Sequence, residues 1–186
     1  MPSVYLSPSL QEFNPVIIGG NEEYYMNLIA DAMIPYLEAS GISYSRNNPN
    51  ETLSQAIERS NAGNYDLHLA LHSNSSPEYL AGTLQGPDVY YYEYSQPSRA
   101  AADIIAANLE SIYPNPDLVT VIPSVTLAEL RRTTAPAVLL EVAYHDNYED
   151  AQWIADNINA IGRNLLLSLT EYLGIPFVHP YAPIGK

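Results

Sequence analysis

Two short apolar runs constrain this chain more than any other feature. In the first, Leu67, Leu69, Ala70 and Leu71 lead into His72-Ser73-Asn74. In the second, Ala137-Val138-Leu139-Leu140 leads into Glu141. A strand with one wet face alternates apolar and polar residues, whereas a strand covered on both faces is apolar at successive positions. Runs this short are strand-length, so each reads as a buried strand of a sheet with helices on both faces. In open α/β sheets ligands bind beyond the carboxyl ends of the strands. His72 and Glu141 therefore stand where an imidazole and a carboxylate can do chemistry. An unpartnered carboxylate at such a buried position is costly, which argues that the two share a site.

The rest of the pattern supplies the helices. Residues 4–7 read as a first strand, followed by a proline-bounded loop over 8–15. Gly19-Gly20-Asn21 is a turn, with Asn21 as N-cap and Glu22 and Glu23 in the first turn, where the helix dipole favours carboxylates. Tyr25, Met26, Ile29, Ala30, Met33 and Leu37 recur at helical spacing, which predicts a helix over 22–39 with Pro35 as a kink or weak point and Gly41 as its stop. A strand at 42–45, a helix at 52–61 and the His72 strand follow. Residues 73–87 are rich in Ser, Gly and Pro and read as a functional loop near the site. A strand at 88–94 lies towards an edge, and a helix over 98–112 takes Ser98 as its cap. A strand at 119–121, a helix at 127–130 and the strand ending at Glu141 come next. One long helix over 149–173 closes the pattern, with an irregular tail from about 177. Alternating strands and helices predict a single α/β domain over 1–186, built on a mainly parallel twisted sheet.

Composition removes several function classes. The formal net charge is −14 with only seven Lys and Arg, so neither nucleic acid nor an anionic membrane surface is an expected partner. There is no cysteine, which excludes a thiol nucleophile, a Cys-ligated zinc and a disulfide framework. No run is long and apolar enough to span a membrane, and residues 1–6 do not read as a signal peptide. Sixteen tyrosines against two phenylalanines suit sugar or peptide ligands, or simply half-buried packing positions.

No nucleophile elbow, P-loop or dinucleotide fingerprint is present. Four histidines remain. His68 and His72 lie on one face of one strand, ~13 Å apart at ~3.3 Å per residue. They cannot both ligate one metal through bonds of ~2 Å. His72 is the better ligand, and His68 reads as a core residue. His145 is placed at the rim of the site, and His179 in the tail is incidental. A histidine with carboxylates suits a zinc hydrolase in which one further carboxylate acts as general base.

Several pieces then occur in a recognisable order: a Glu opening the first helix ahead of Ile29-Ala30, Asn61 before Tyr65-Asp66-Leu67, Leu71-His72-Ser73-Asn74, Gly82 before Val89-Tyr90-Tyr91-Tyr92, Leu130-Arg131-Arg132-Thr133-Thr134-Ala135-Pro136, and Ala137-Val138-Leu139-Leu140-Glu141 followed by Asp146-Asn147. The ordered set resembles the zinc-dependent N-acetylmuramoyl-L-alanine amidases of the amidase-3 type, over nearly the whole chain. The resemblance implies a hydrolase of the bond between N-acetylmuramic acid and L-alanine in peptidoglycan, acting outside the cell or at the wall. It implies His72 and Glu22 as metal ligands, with Glu22 preferred to Glu23 because Met26, Ile29, Ala30 and Met33 then fall in register. It implies Glu141 as the catalytic carboxylate and suggests Arg131 for the oxyanion. Asn74 is expected to orient its loop or touch substrate. The family's first ligand histidine is missing: the loop reads Ser7-Pro8-Ser9-Leu10-Gln11-Glu12-Phe13-Asn14. Gln11, through its amide oxygen, is the expected substitute, with Glu12 or a water as alternatives. The gap also motivates a second reading, a domain that binds peptidoglycan without cutting it.

Overall fold

The computed structural model describes residues 1–180. A six-stranded sheet in the order β2-β1-β3-β6-β4-β5 forms the centre. The strands are β1 (Ser3–Pro8), β2 (Ser43–Arg46), β3 (Leu67–Asn74), β4 (Asp88–Tyr92), β5 (Thr120–Ser124) and β6 (Ala137–Tyr144). All neighbours pair in parallel except β4, which runs antiparallel to β6 and carries β5 with it. The expected mainly parallel α/β architecture holds.

Alternation along the central strands sorts their side chains between two layers. Leu67, Leu69 and Leu71 of β3 and Val138, Leu140 and Val142 of β6 face one layer. There they pack with α1 (Glu22–Ala39), α3 (Gln96–Glu110) and α6 (Ile158–Leu173) in the main core. Ala70, Ala137 and Leu139 face the other side, where they meet Leu130 of α4 (Ala128–Arg132). The helix α2 (Leu53–Ala62) lies on that side too, because its Ser60 bonds His68. The even-numbered residues of β3, His68 and His72 among them, thus point into the thinner layer.

Helix α1 keeps the expected limits. Asn21 is its N-cap and accepts from the Tyr24 amide at 2.8 Å. The helix runs on through Pro35 without interruption. α1 packs close against Gly162 of α6: a Cβ there would sit 2.8 Å from Ala32 Cβ.

Three expectations are corrected. Neither central strand stops at its ionisable residue: β3 runs to Asn74 and β6 to Tyr144, because pairing resumes at Asn74 and Tyr144 after an irregularity beyond His72. Ser95, not Ser98, caps α3, and Ser98 lies buried in the first turn, accepting the Ala137 amide at 3.0 Å. The long C-terminal helix is two helices, α5 (Tyr148–Asp156) and α6. Asn157 divides them: its side chain donates to the Trp153 carbonyl at 2.8 Å, a local bond that competes with helix continuation. The loop after β3 is tied to Asp146, between β6 and α5, and to Asp150 of α5, by the Gly82 and Gly86 amides at 2.9 Å each. The chain has no regular structure over 175–179, as expected for the tail, and residues 181–186 lie outside the described residues.

Candidate active site

His72 and Glu141 are register partners on adjacent parallel strands, and Asp88 of β4 pairs with Glu141 from the other side. The three form one rung across β3, β6 and β4. Paired residues on neighbouring strands point to the same face ~5 Å apart, so imidazole and carboxylate share the thin-layer side.

Glu22 enters from elsewhere. As the first residue of α1 it is buried, with its Oε1 2.9 Å from His72 Nδ1. Asn14 donates to its Oε2 at 2.7 Å. Burial works against the Glu22 charge, but the hydrogen bond and charge of His72 outweigh it and hold the carboxyl below its ordinary range. Glu23 does not join: it lines a separate surface depression together with the exposed Glu12. Of the two glutamates Glu22 is the one beside His72, and Glu12 is not brought there.

Gln11 lies beside both groups. Its Nε2 is 3.4 Å from His72 Nδ1 and 3.5 Å from Glu22 Oε1, while its Oε1 accepts from Asn14 at 3.1 Å. The amide thus presents nitrogen, and a half-turn would present oxygen at the cost of the Asn14 bond. The three atoms stand 2.9, 3.4 and 3.5 Å apart. Ligand atoms held ~2.0–2.1 Å from a tetrahedral zinc are about 3.3 Å from one another. One of the three atoms here is an amide nitrogen, which donates hydrogen bonds and gives a metal no lone pair, so the spacing does not by itself make a cation site. Of the three groups the imidazole and the carboxylate are metal donors, and the amide becomes one only after its half-turn. Among the described residues no cluster of three His, Cys, Asp or Glu side chains is arranged to hold a metal ion.

The other edge of the His72 ring meets a residue that the sequence did not single out. Glu129, on α4, is buried; its Oε2 lies 3.2 Å from His72 Nε2 and its Oε1 3.1 Å from His68 Nε2. Ser7 donates to Oε1 at 2.5 Å. His68, fully buried and stacked on Tyr5, has its Nδ1 2.9 Å from Ser60 Oγ. The two histidines of β3 cannot share a metal, but they share one carboxylate. Burial opposes the charge on Glu129, and the bonds from His68 and His72 overcome it, so its carboxyl is pulled well down. Burial likewise opposes a charge on His72, and Glu129 and Glu22 together raise it well above its usual value. The one hint in the sequence was an acid set between Ala128 and Leu130 on a short helix, a weak signal for a helix with only one buried side.

Glu141 behaves oppositely. Its Oε2 is out of contact with water and, among the described residues, has no hydrogen-bond partner. Burial pushes the carboxyl up to about 7; His72 opposes the rise, and Glu22, Asp88 and Glu129 add to it. Carboxylates held low and a carboxyl near neutrality, around one imidazole, divide the roles of charge-bearing partner and proton carrier.

The remaining candidates fall away from this centre. Arg131 is exposed on α4 and, among the described residues, makes no side-chain hydrogen bond or ion pair; it does not line the cavity. On α4, Glu129 turns inward and Arg131 outward. His145 is not at a rim but buried, with Nδ1 2.9 Å from Ser73 Oγ. Asn74 donates to Asp88 at 3.1 Å, which steadies the rung. His179 packs edge-on to Tyr36, away from the site.

A cavity of about 390 Å³ opens beside His72 and Glu129. Pro8, Leu10, Phe13 and Leu53 give it apolar walls, and Phe13 is 73% exposed at its mouth. Concave, mainly apolar walls with a few convergent polar groups are the usual form of a small-molecule site.

The sequence matches the family model of N-acetylmuramoyl-L-alanine amidases of the amidase-3 type over residues 14–170. No curated protein sequence matches it. Among solved structures, the fold is similar to the N-acetylmuramoyl-L-alanine amidase AmiC2 of Nostoc punctiforme, at TM-score 0.81 and 19% identity, covering 93% of this chain and 97% of that one. It is similar to an N-acetylmuramoyl-L-alanine amidase from Clostridium difficile 630, at TM-score 0.82 and 14% identity, with 93% and 97% covered. The catalytic domain of CwlV, from Bacillus (Paenibacillus) polymyxa var. colistinus, gives TM-score 0.78 and 19% identity over 95% of this chain and 100% of that one.

Proposed function

Because the chain belongs to the amidase-3 family of N-acetylmuramoyl-L-alanine amidases, we propose that it hydrolyses the amide bond between N-acetylmuramic acid and L-alanine in peptidoglycan, as a zinc-dependent enzyme working at the cell wall. The observation that carries the mechanism is Glu141: a carboxylate with an unpartnered buried oxygen, pushed up to about 7, in register with His72.

His72, through Nδ1, and Glu22, through Oε1, would hold the zinc, with Gln11 as the third and weaker donor once its amide turns. A zinc there supplies Lewis acidity, lowering the pKa of a coordinated water and polarising the scissile carbonyl. Glu141 accepts the proton of the attacking water on its free oxygen and returns it to the departing amino group of L-alanine. A carboxyl near neutrality is suited to both transfers, since it gives and takes a proton at similar cost. Asn14 keeps Glu22 oriented through its bond to Oε2. The apolar walls of the cavity receive part of the muropeptide and exclude water from the reacting bond. The matched enzymes carry amidase activity in their names, which favours hydrolysis over a binding-only domain.

The test is product analysis on purified muropeptides with zinc-loaded protein. Release of a peptide with a free L-alanine amino group is expected from the wild-type protein. Glu141→Gln is expected to release none while still retaining zinc. Turnover by that variant would end the assignment of Glu141. Wild-type protein that binds the wall and releases no such peptide would establish the binding-only reading.

A further inference from the structure

Three pieces of the ordered sequence set play no part in the centre around His72: Asn61, Tyr92 and Thr133-Thr134-Ala135-Pro136. They meet elsewhere. A cleft of about 490 Å³ is lined by Tyr92, Tyr94 and Gln96, from the end of β4 and the start of α3, and by Thr133, Thr134 and Pro136, from the segment leading into β6. It shares no lining residue with the cavity beside His72. Topology explains its place. β4 and β5 run against β6, so their carboxyl ends open at the end of the sheet away from His72 and Glu141. Ligands of α/β sheets gather beyond such ends. Along β6, Glu141 lies ~13 Å from Ala137 at ~3.3 Å per residue.

The walls are fixed in advance. Asn61 clamps one: it donates to the Arg132 carbonyl at 2.8 Å and accepts the Thr134 amide at 2.7 Å. Ser98 ties the start of α3 to β6 by accepting the Ala137 amide at 3.0 Å. Tyr94 is 74% exposed, yet its ring is propped edge-to-face against Tyr92, with centroids 5.5 Å apart and planes at 87°. A preformed wall spares the ordering cost of binding. The lining chemistry selects the ligand. Rings, hydroxyls and an amide line the cleft and no charged side chain does, on a chain of formal net charge −14. An ionic ligand finds no counter-charge there. A sugar ring has an apolar C–H face that lies on an aromatic ring, and hydroxyls that both donate and accept, as do those of Tyr and Thr and the amide of Gln. Among the described residues the side chains of Tyr92, Tyr94, Gln96 and Thr134 make no hydrogen bond, so these groups are available.

We propose that this cleft is a second binding site, for an uncharged N-acetylated sugar chain. The N-acetyl detail rests on the peptidoglycan reading above; the saccharide class does not. In the proposed substrate the carboxyl of N-acetylmuramic acid is taken up in the amide bond to L-alanine, so the glycan is uncharged there, whereas the peptide carries free carboxylates. The cleft holds the glycan away from the reacting bond.

The experiment titrates ¹⁵N-labelled protein, with chelator present, with the β-1,4-linked tetramer of N-acetylglucosamine. This probe has no amide bond to L-alanine, so its binding is read apart from hydrolysis. The amides of Tyr94, Gln96 and Thr134 are expected to shift and saturate, while those of Leu10, Phe13 and Leu53 beside His72 stay in place. Tyr94→Ala is expected to weaken binding about tenfold, and Thr134→Val about fivefold. Both side chains are exposed, so neither replacement removes core packing. No shift up to the solubility limit of the sugar overturns the proposal, as do shifts confined to Leu10, Phe13 and Leu53 or undiminished affinity in both variants. An equal response to a free stem peptide beginning with L-alanine overturns the saccharide class in favour of a peptide.

Discussion

Glu141→Gln should make this protein more stable as it makes it inactive, and only above a definable pH. Burial and the neighbouring carboxylates raise the Glu141 carboxyl from 4.5 to about 7 in the folded chain. Each pKa unit corresponds to about 1.4 kcal/mol, so the shift is worth about 3 kcal/mol. The sign follows from which state holds the proton more tightly. Between pH 4.5 and about 7 the folded chain keeps a proton that the unfolded chain has released. Stability is therefore highest below this window, falls as pH rises through it, and stays low above it. A glutamine has no such proton. In metal-free protein with a chelator present, the variant should exceed the wild type by up to about 3 kcal/mol at pH 8, and the gap should close near pH 4.5. Urea unfolding at the two pH values measures the gap directly. Zinc should shrink it at pH 8, because a cation beside the carboxylate favours its charged form. Amidase activity should be lost with the carboxyl, which no longer carries the proton between water and leaving amine. A gap of equal size at both pH values, or a wild type more stable at pH 8, would refute the reasoning: Glu141 would then be neither strained nor poised. An active site that costs stability in this way is the expected trade between folding and function.

Three further outcomes follow from the same structure. His72→Ala should reduce bound zinc, measured by elemental analysis after loading and desalting, from about one per chain to none, because Glu22 and Gln11 alone are too weak a set. Asp150→Ala should destabilise by about 3 kcal/mol or more in urea titration, since it strands the amides of Gly86 and Tyr144 and the Tyr113 hydroxyl, which donate to Asp150 at 2.9, 3.0 and 2.5 Å. Gly162→Ala should lose about 1–3 kcal/mol despite alanine's better helix propensity, because the added Cβ would lie 2.8 Å from Ala32 Cβ and 3.1 Å from the Ala32 carbonyl carbon; unchanged thermal stability would show that α1 and α6 can separate freely.

The candidate site was partly legible before any coordinates. His72 and Glu141 announced themselves because an ionisable residue is conspicuous after an apolar run, and the sheet register made them neighbours. Glu22 was readable only through the family resemblance, since a helix-opening glutamate by itself reads as dipole stabilisation. The boundaries of β3 and β6 were read short, since pairing beyond an irregularity leaves no mark in the apolar pattern. Asn157 divides a C-terminal helix whose apolar face reads as continuous, because an asparagine can bond back to its own backbone at little cost in pattern. Arg131 drew attention through a motif, but α4 turns it to solvent.

What the chain's order of residues determined by itself is the alternation of elements, the burial of β3 and β6 and the placing of a histidine and a glutamate where those strands approach their ends. These follow from local periodicity, which acts over a few residues. The tertiary structure alone decided that Glu129, 57 residues from His72 along the chain, would meet its far nitrogen. It alone decided that His68 would share that carboxylate, and that one oxygen of Glu141 would be left without a partner. Contacts of that kind depend on how three strands and two helices are stacked, and no short stretch of sequence encodes the distance between them.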